Sequence, residues 1–251
     1  MITITLKGIL NRWLAPDEFV NVAVHIRDAW IAAKAKTVKS GSRLLDAGAG
    51  QSPYRYLFSH CDYKTQDFAQ YQGTTSGTQV ETWQYSSLDY VSDITAIPVP
   101  DGSFDVVLCT EVLEHVPRPI EALQELARVL APGGRLLLTA PLSSGLHQQP
   151  FHYYGGFSPH FYNKFLSEFG LEIIEITPVG GLMKHVGQEI YRVGLVLEKN
   201  APGKLSALMK YILMCFLPRF LAKLDDAVFV EEFTVGYLVE ARKSIDSSVA
   251  V

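Results

Sequence analysis

From Asp17 to about Lys36, after a Pro16-Asp17 start, the apolar residues Phe19, Val22, Ala23, Ile26, Trp30 and Ala33 recur at helical spacing and predict an amphipathic helix. The pattern then shortens. Arg43–Ala47 is a compact apolar run that predicts a strand. Pro53–His60 predicts a helix opened by a proline whose missing N–H costs nothing there, and Asp62–Asp67 predicts a second strand. The stretch from Tyr71 to Ser87 is rich in Gly, Thr, Ser and Gln without a period, and predicts an exposed loop. Phe104–Thr110 is continuous and β-branched, as a central parallel strand covered on both faces should be. Pro119–Leu130 carries Ile120, Leu123, Leu126, Ala127 and Leu130 on one stripe and stops at Ala131-Pro132-Gly133-Gly134. Arg135–Ala140 is another buried strand, Phe161–Phe169 a helix, Leu171–Thr177 a strand and Glu232–Arg242 the last strand.

Strand and helix alternate throughout, which predicts an α/β fold with a doubly wound, mostly parallel sheet. A length of 251 residues suits one large domain, with an N-terminal helical segment over 1–40 and an insert over 182–229. The insert holds the apolar run Leu205–Leu217, which Lys210 and then Pro218-Arg219 cut short of a bilayer span. A helical insert packed on the sheet is the expected reading. The alternative is an interfacial helix that makes peripheral contact with a membrane or a lipid-bearing substrate.

Composition narrows the partners. The net charge is −4 and Lys and Arg form no long run, which disfavours a nucleic-acid partner and favours a small molecule. Cys61, Cys109 and Cys215 are far apart and show neither zinc spacing nor a disulfide framework. Met1 to Leu10 lacks the apolar core of a secretory signal, so a reducing cytoplasm is expected.

The chemistry starts at Leu44-Leu45-Asp46-Ala47-Gly48-Ala49-Gly50, where a buried strand delivers a carboxylate to a turn bare of side chains. Such a turn lets a sizeable ligand lie against backbone. The dinucleotide fingerprint needs a third glycine, and this chain has Pro53 at that position, so a nicotinamide cofactor is not expected. An acid before the first glycine suits a ligand with an amino-acid end. Asp67, seventeen residues beyond Gly50 at the end of the second strand, can grip ribose hydroxyls. Asp93 can accept from an exocyclic adenine amine while Ile94 covers the ring. Thr110-Glu111-Val112-Leu113-Glu114-His115-Val116 leaves the central strand at the crevice where open α/β sheets bind ligands.

Together these pieces resemble the class I S-adenosylmethionine-dependent methyltransferases, in particular the type 11 group, and Arg128–Gly134 continues the pattern. The resemblance covers roughly residues 43–242. It implies a seven-stranded Rossmann-like sheet and S-adenosyl-L-methionine as cofactor. Asp46, Gly48 and Gly50 would hold the methionine moiety, Asp67 the ribose, and Asp93 with Ile94 the adenine. Thr110 would line the floor beside the sulfonium, and His115 is read as structural.

The acceptor side follows Ala140-Pro141. Residues 145–160 contain three histidines and four aromatic residues. His147 and His152 are the candidate general bases, since imidazole titrates near working pH. No metal site is expected, because His147, His152 and His160 have no carboxylate at helical spacing. The block is similar to the corresponding region of methyltransferases of polysaccharide and cell-envelope pathways, which also carry a Gly-Gly like Gly180-Gly181. Gly155-Gly156 stands where many of them place Arg, so no anionic acceptor is inferred. The resulting expectation is methylation of a small or carrier-linked acceptor, such as a sugar hydroxyl of a surface glycan. The alternatives are a quinone-like acceptor in an apolar pocket built from Met183, Leu208, Ile212 and Phe216, or a non-catalytic cofactor-binding subunit.

Overall fold

Leu44 and Leu45 turn to opposite faces of one sheet, and both are fully buried. A strand covered on both sides needs no polar alternation, which is why its sequence reads as a continuous apolar run. The computed structural model describes residues 21–74 and 81–245. They fall into two compact units, one of residues 27–178 and 236–245, the other of residues 21–26 and 179–235.

The first of these is the sheet unit. Its strands are β1 (Arg43–Ala47), β2 (Asp62–Asp67), the short ribbon β3 (Gly73–Thr74) and β4 (Glu81–Thr82), and β5 (Tyr90–Val91). They continue with β6 (Phe104–Thr110), β7 (Leu130–Pro141), β8 (Leu171–Pro178) and β9 (Gly236–Lys243). Seven of them form one sheet in the order β5-β2-β1-β6-β7-β9-β8, as the resemblance implied. β5, β2, β1, β6 and β7 run parallel, while β9 lies antiparallel between β7 and β8.

Helix α1 (Val22–Ala35) covers one face from Arg27 onward, where Ile31 and Ala35 pack with Leu44, Phe58, Val106, Leu108 and Leu137. Ala33, expected on the buried stripe, is exposed instead, because Ile31 is the residue turned onto the strands. The expected start of this helix at Asp17 and Phe19 lies outside the described residues. On the other face α2 (Pro119–Val129) and α3 (Pro159–Glu168) pack Ala122, Leu123, Leu126, Tyr162 and Leu166 against Leu45, Val107, Cys109, Leu136 and Leu138.

Three local expectations change. Pro53–His60 forms a single 3-10 turn, Arg55–Phe58, not an α-helix. Two of its aromatic residues are committed elsewhere: Phe58 is fully buried, and the Tyr54 hydroxyl accepts from Arg27 Nε and donates to Asp28. Tyr71–Ser87 is not a bare loop, because the β3–β4 ribbon organises it and Tyr71 is buried. Residues 75–80 of it lie outside the described set. The last strand starts at Gly236 rather than Glu232, and Glu231–Phe233 forms a short turn before it.

The second unit holds the insert as helices α4 (Leu182–Asn200), α5 (Ala207–Tyr211) and α6 (Leu217–Ala227), with a π-turn at Ile212–Phe216 ahead of Pro218. Asp225, fully buried, accepts from the backbone N–H groups of Gly181, Met183 and Lys184 and so caps the start of α4. Leu208, Met209, Phe216 and Phe220 are exposed. Among the described residues, no helix is long and apolar enough to cross a membrane.

Candidate active site

The carboxyl ends of β1, β2, β5 and β6 open onto a cavity of about 580 Å³ within the sheet unit. This is the end at which open parallel sheets receive ligands, because the loops there face outward from a rigid edge. Gly48, Gly50, Asp67, Asp93, Ile94 and Thr110 all line it. Asp46, His147 and His152 do not.

Gly48 and Gly50 adopt φ of +72° and +51°. A Cβ at Gly48 would overlap the Val112 methyl groups, and one at Gly50 would come within 2.7 Å of the Trp83 ring. Bare backbone at these two positions therefore has a packing cause as well as a conformational one. The turn also spends its donors internally. Gly48 N–H donates to Gln66 O at 2.9 Å, and Gly50 N–H donates to Asp67 Oδ2 at 2.9 Å. Asp67 Oδ1 takes Ala69 N–H at 3.0 Å, so this one carboxylate fastens the ends of the β1 and β2 loops together. Burial raises the Asp67 carboxyl from its ordinary value, and the backbone donors of Ala69, Gly50 and Phe68 oppose the rise.

Asp46 sits deeper. It is 2% exposed and accepts the hydroxyl of Tyr63 from the neighbouring strand β2. Burial, its largest influence, raises the carboxyl to about 7, against the pull of Tyr63, with Asp67 adding to the rise. Asp93 Oδ1 accepts from Thr95 N–H and Thr95 Oγ1 at 2.9 and 2.8 Å, which fixes the loop after β5, and Ile94 is buried behind it.

Several cavity residues carry little signal of their own in the sequence. Arg27, on α1, lies 3.5 Å from Glu111, which follows β6 in a left-handed conformation with φ of +53°. Glu111 also accepts from Thr139 Oγ1 at 2.7 Å. Burial lowers the Arg27 pKa, but Glu111, Tyr54 and Asp28 outweigh it and the net direction is upward. Phe68, Tyr71, Trp83, Tyr85, Phe151 and Tyr153 give the cavity an aromatic wall. The readable sign for Glu111 was its place at the end of the central strand. Arg27 had none, since a lone Arg on a helix is usually a solvated face.

His147 and His152 meet His115, which does line the cavity. Ring centroids are 4.6 Å apart for His147–His152, 4.7 Å for His115–His147 and 5.8 Å for His115–His152. The loop carrying the first two is tied to the turn at Leu113–His115, because Tyr153 and Tyr154 N–H groups donate to Glu114 O at 2.9 and 3.2 Å. Burial lowers His115 to about 4, aided by its two histidine neighbours, and burial and His147 lower His152 as well. Both influences favour the neutral imidazole of His152. Ser144 Oγ donates to Gly155 O at 3.0 Å, so its 3.1 Å contact to His152 takes the Nε2 proton and leaves Nδ1 as the basic nitrogen. Gly156 has a physical reason for lacking a side chain: a Cβ would overlap the Leu142 carbonyl. Of the apolar pocket expected from Met183, Leu208, Ile212 and Phe216, no member lines this cavity.

Comparison with known proteins agrees with this geometry. Residues 45–138 match the family model described as a methyltransferase domain. The chain is 29% identical over 144 residues to a ubiquinone biosynthesis O-methyltransferase of Xanthomonas oryzae, covering 53% of this chain and 57% of that protein. It is 32% identical over 143 residues to the ubiquinone/menaquinone biosynthesis C-methyltransferase of a Ruegeria species, with the same coverage. The match thus spans a little over half the length of these curated relatives. Among solved structures, phosphoethanolamine N-methyltransferase 2 of Haemonchus contortus, in complex with S-adenosyl-L-methionine, superposes with a TM-score of 0.53 at 16% identity. That superposition covers 96% of this chain and 58% of that one, and shows the fold.

Proposed function

We infer that this chain, which belongs to the class I S-adenosylmethionine-dependent methyltransferases, transfers the sulfonium methyl group to a small aromatic acceptor of the phenol or quinol class. The single observation that carries the donor half is the Gly48–Gly50 turn fastened to Asp67 at the mouth of a cavity sized for a nucleoside-bearing ligand. Asp67 receives the ribose hydroxyls there, Asp93 and Ile94 the adenine, and the backbone of Gly48 and Gly50 the methionine end. Thr110 floors the reacting centre. Asp46 acts from behind, holding β1 to β2 through Tyr63.

Methyl transfer from a sulfonium is an in-line displacement, so positioning supplies much of the acceleration. A phenolic oxygen must also lose its proton, and the imidazole cluster offers the base, with His152 and His147 in that role. A quinone-like acceptor is better supported than the sugar hydroxyl of a surface glycan. The cavity wall is aromatic, and both curated relatives are named for ubiquinone or menaquinone biosynthesis. The cytoplasm is the compartment that fits three cysteines that form no disulfide.

Thermal shift with S-adenosylhomocysteine and with NADH tests the donor. At about a hundred times its dissociation constant the former should stabilise the chain by about 2.7 kcal/mol and the latter by nothing. A response to NADH alone would sink the reading. A radiolabelled methyl donor offered to hydroxylated benzoquinols and to a lipid-linked oligosaccharide then separates the two acceptor classes.

A further inference from the structure

The expectation of no metal rested on histidines without a carboxylate nearby in sequence. The fold supplies one from a different loop. Glu114 and His115 end the turn after β6, His147 comes from the loop after β7, and their ligand atoms lie within 4.8 Å of one another.

Two further observations single the trio out. Glu114 is 1% exposed, and its Oε2 has no hydrogen-bond partner. The Nε2 of His115 is likewise buried and unpartnered, 3.7 Å from Glu114 Oε1. Each side chain of this buried pair thus keeps one unpartnered polar atom, and their recorded approach, through Oε1, is too long for a hydrogen bond but leaves room for a positive centre.

The tautomers agree. His115 Nδ1 is 2.7 Å from Phe151 O and His147 Nδ1 is 2.9 Å from Gly145 O. A carbonyl only accepts, so both Nδ1 atoms carry the proton and both Nε2 atoms keep a lone pair. An imidazole held by its other N–H on a backbone carbonyl is the arrangement that orients metal-binding histidines. We propose that Glu114, His115 and His147 bind one divalent transition-metal ion of the zinc class.

Two imidazoles and one carboxylate give a borderline donor set that suits zinc and cobalt and is poor for magnesium or calcium. Three protein ligands leave a coordination position for water or an acceptor oxygen, and His115 lies on the cavity wall. His152 stays outside the trio, its Nε2 committed to Ser144. With the ion bound the His147 Nε2 lone pair is taken and the base role falls to His152 alone, but binding of the ion itself needs no cofactor or acceptor and is tested without either.

The test uses the full chain stripped with chelator and titrated with zinc chloride in a calorimeter and with cobalt chloride in a spectrophotometer. One equivalent should bind, and cobalt should give the visible d–d bands of a low-coordinate nitrogen–oxygen site. Magnesium chloride should give no heat at the same concentration. His147→Ala, which alters a half-buried loop residue, should weaken zinc by at least about tenfold, comparable to or beyond the loss of an outer-shell partner. His160→Ala should bind as the wild type does. Glu114→Gln tests the carboxylate, and its circular dichroism separates lost binding from lost folding. The proposal is overturned by absence of stoichiometric binding in the wild type, or by equal affinity in His147→Ala. It is also overturned if His160→Ala loses the ion as well.

Discussion

The two walls of the cavity are built on different principles. The donor wall consists of strand ends whose polar groups are already consumed by one another: Gly50 by Asp67, Gly48 by Gln66, Asp93 by Thr95. The acceptor wall is reached by His115 alone of the imidazole cluster, with His147 and His152 packed behind that ring and buried polar atoms on Glu114 and His115 left without a partner. A wall with its hydrogen bonds closed keeps one shape and presents backbone. A wall with open lone pairs is poised to take a proton or a cation. The difference teaches where rigidity and where chemistry are invested in this fold.

That contrast can be broken most directly at His152. His152→Ala should lower turnover on the best acceptor by about a hundredfold, within the usual range for a general base, and leave S-adenosylhomocysteine affinity unchanged by calorimetry. Loss of cofactor affinity in the same variant would mean that the two walls are one unit. Next in size is Asp67→Ala, which removes a charged acceptor for two backbone donors in the loop. It should weaken S-adenosylhomocysteine by ten- to a hundredfold, from about 1.5–3 kcal/mol for hydrogen bonds to a charged group. Asp67→Asn should recover part of the loss, and an unchanged dissociation constant in Asp67→Ala takes this residue out of the site.

An effect on stability rather than on binding or turnover sharpens the comparison at Asp46, the buried carboxyl behind the donor wall. Its folded pKa of about 7 lies above the unfolded value of 3.8. Between those values the folded chain holds one more proton than the unfolded chain. Its stability should therefore fall as pH rises through that window, by at most about 1.4 kcal/mol per pH unit, and Asp46 adds no slope outside it. Asp46→Asn should flatten this part of the profile in urea titrations from pH 4 to 7. A profile identical to the wild type would mean that Asp46 ionises freely in the folded state.

Much of the sheet was legible, and for a definite reason. β1, β6 and β7 bury both faces, so Leu44-Leu45, Phe104–Thr110 and Arg135–Ala140 read as apolar runs whatever else the chain does. That Gly48, Gly50, Asp67 and Asp93 share one cavity was legible because the turn and the two acids follow in order along the sequence. Pro53–His60 misled because its proline and aromatic spacing imitate a helix, while Tyr54 and Phe58 are fixed by tertiary contacts with Arg27, Asp28 and the Ile31 cluster. The acceptor wall was readable only in composition. Its partners Glu114 and His147 are separated by more than one secondary-structure element, and no local spacing announces a meeting that the β6 and β7 ends arrange. Arg27 and Trp83 were invisible for the same reason.

The fastening of Asp67 to Gly50 and Ala69 also sets what the cavity rejects. With its inward N–H groups spent on the chain itself, the donor wall presents a carboxylate where a ribose would rest. A neutral diol can donate to that surface. A ribose bearing a phosphate would bring two negative groups together, and among the described residues Arg27, the Lys or Arg side chain lining the cavity, is already 3.5 Å from Glu111. On the proposed reading of Asp67 as the ribose partner, phosphorylated nucleosides would be turned away by repulsion rather than by fit, before any acceptor arrives.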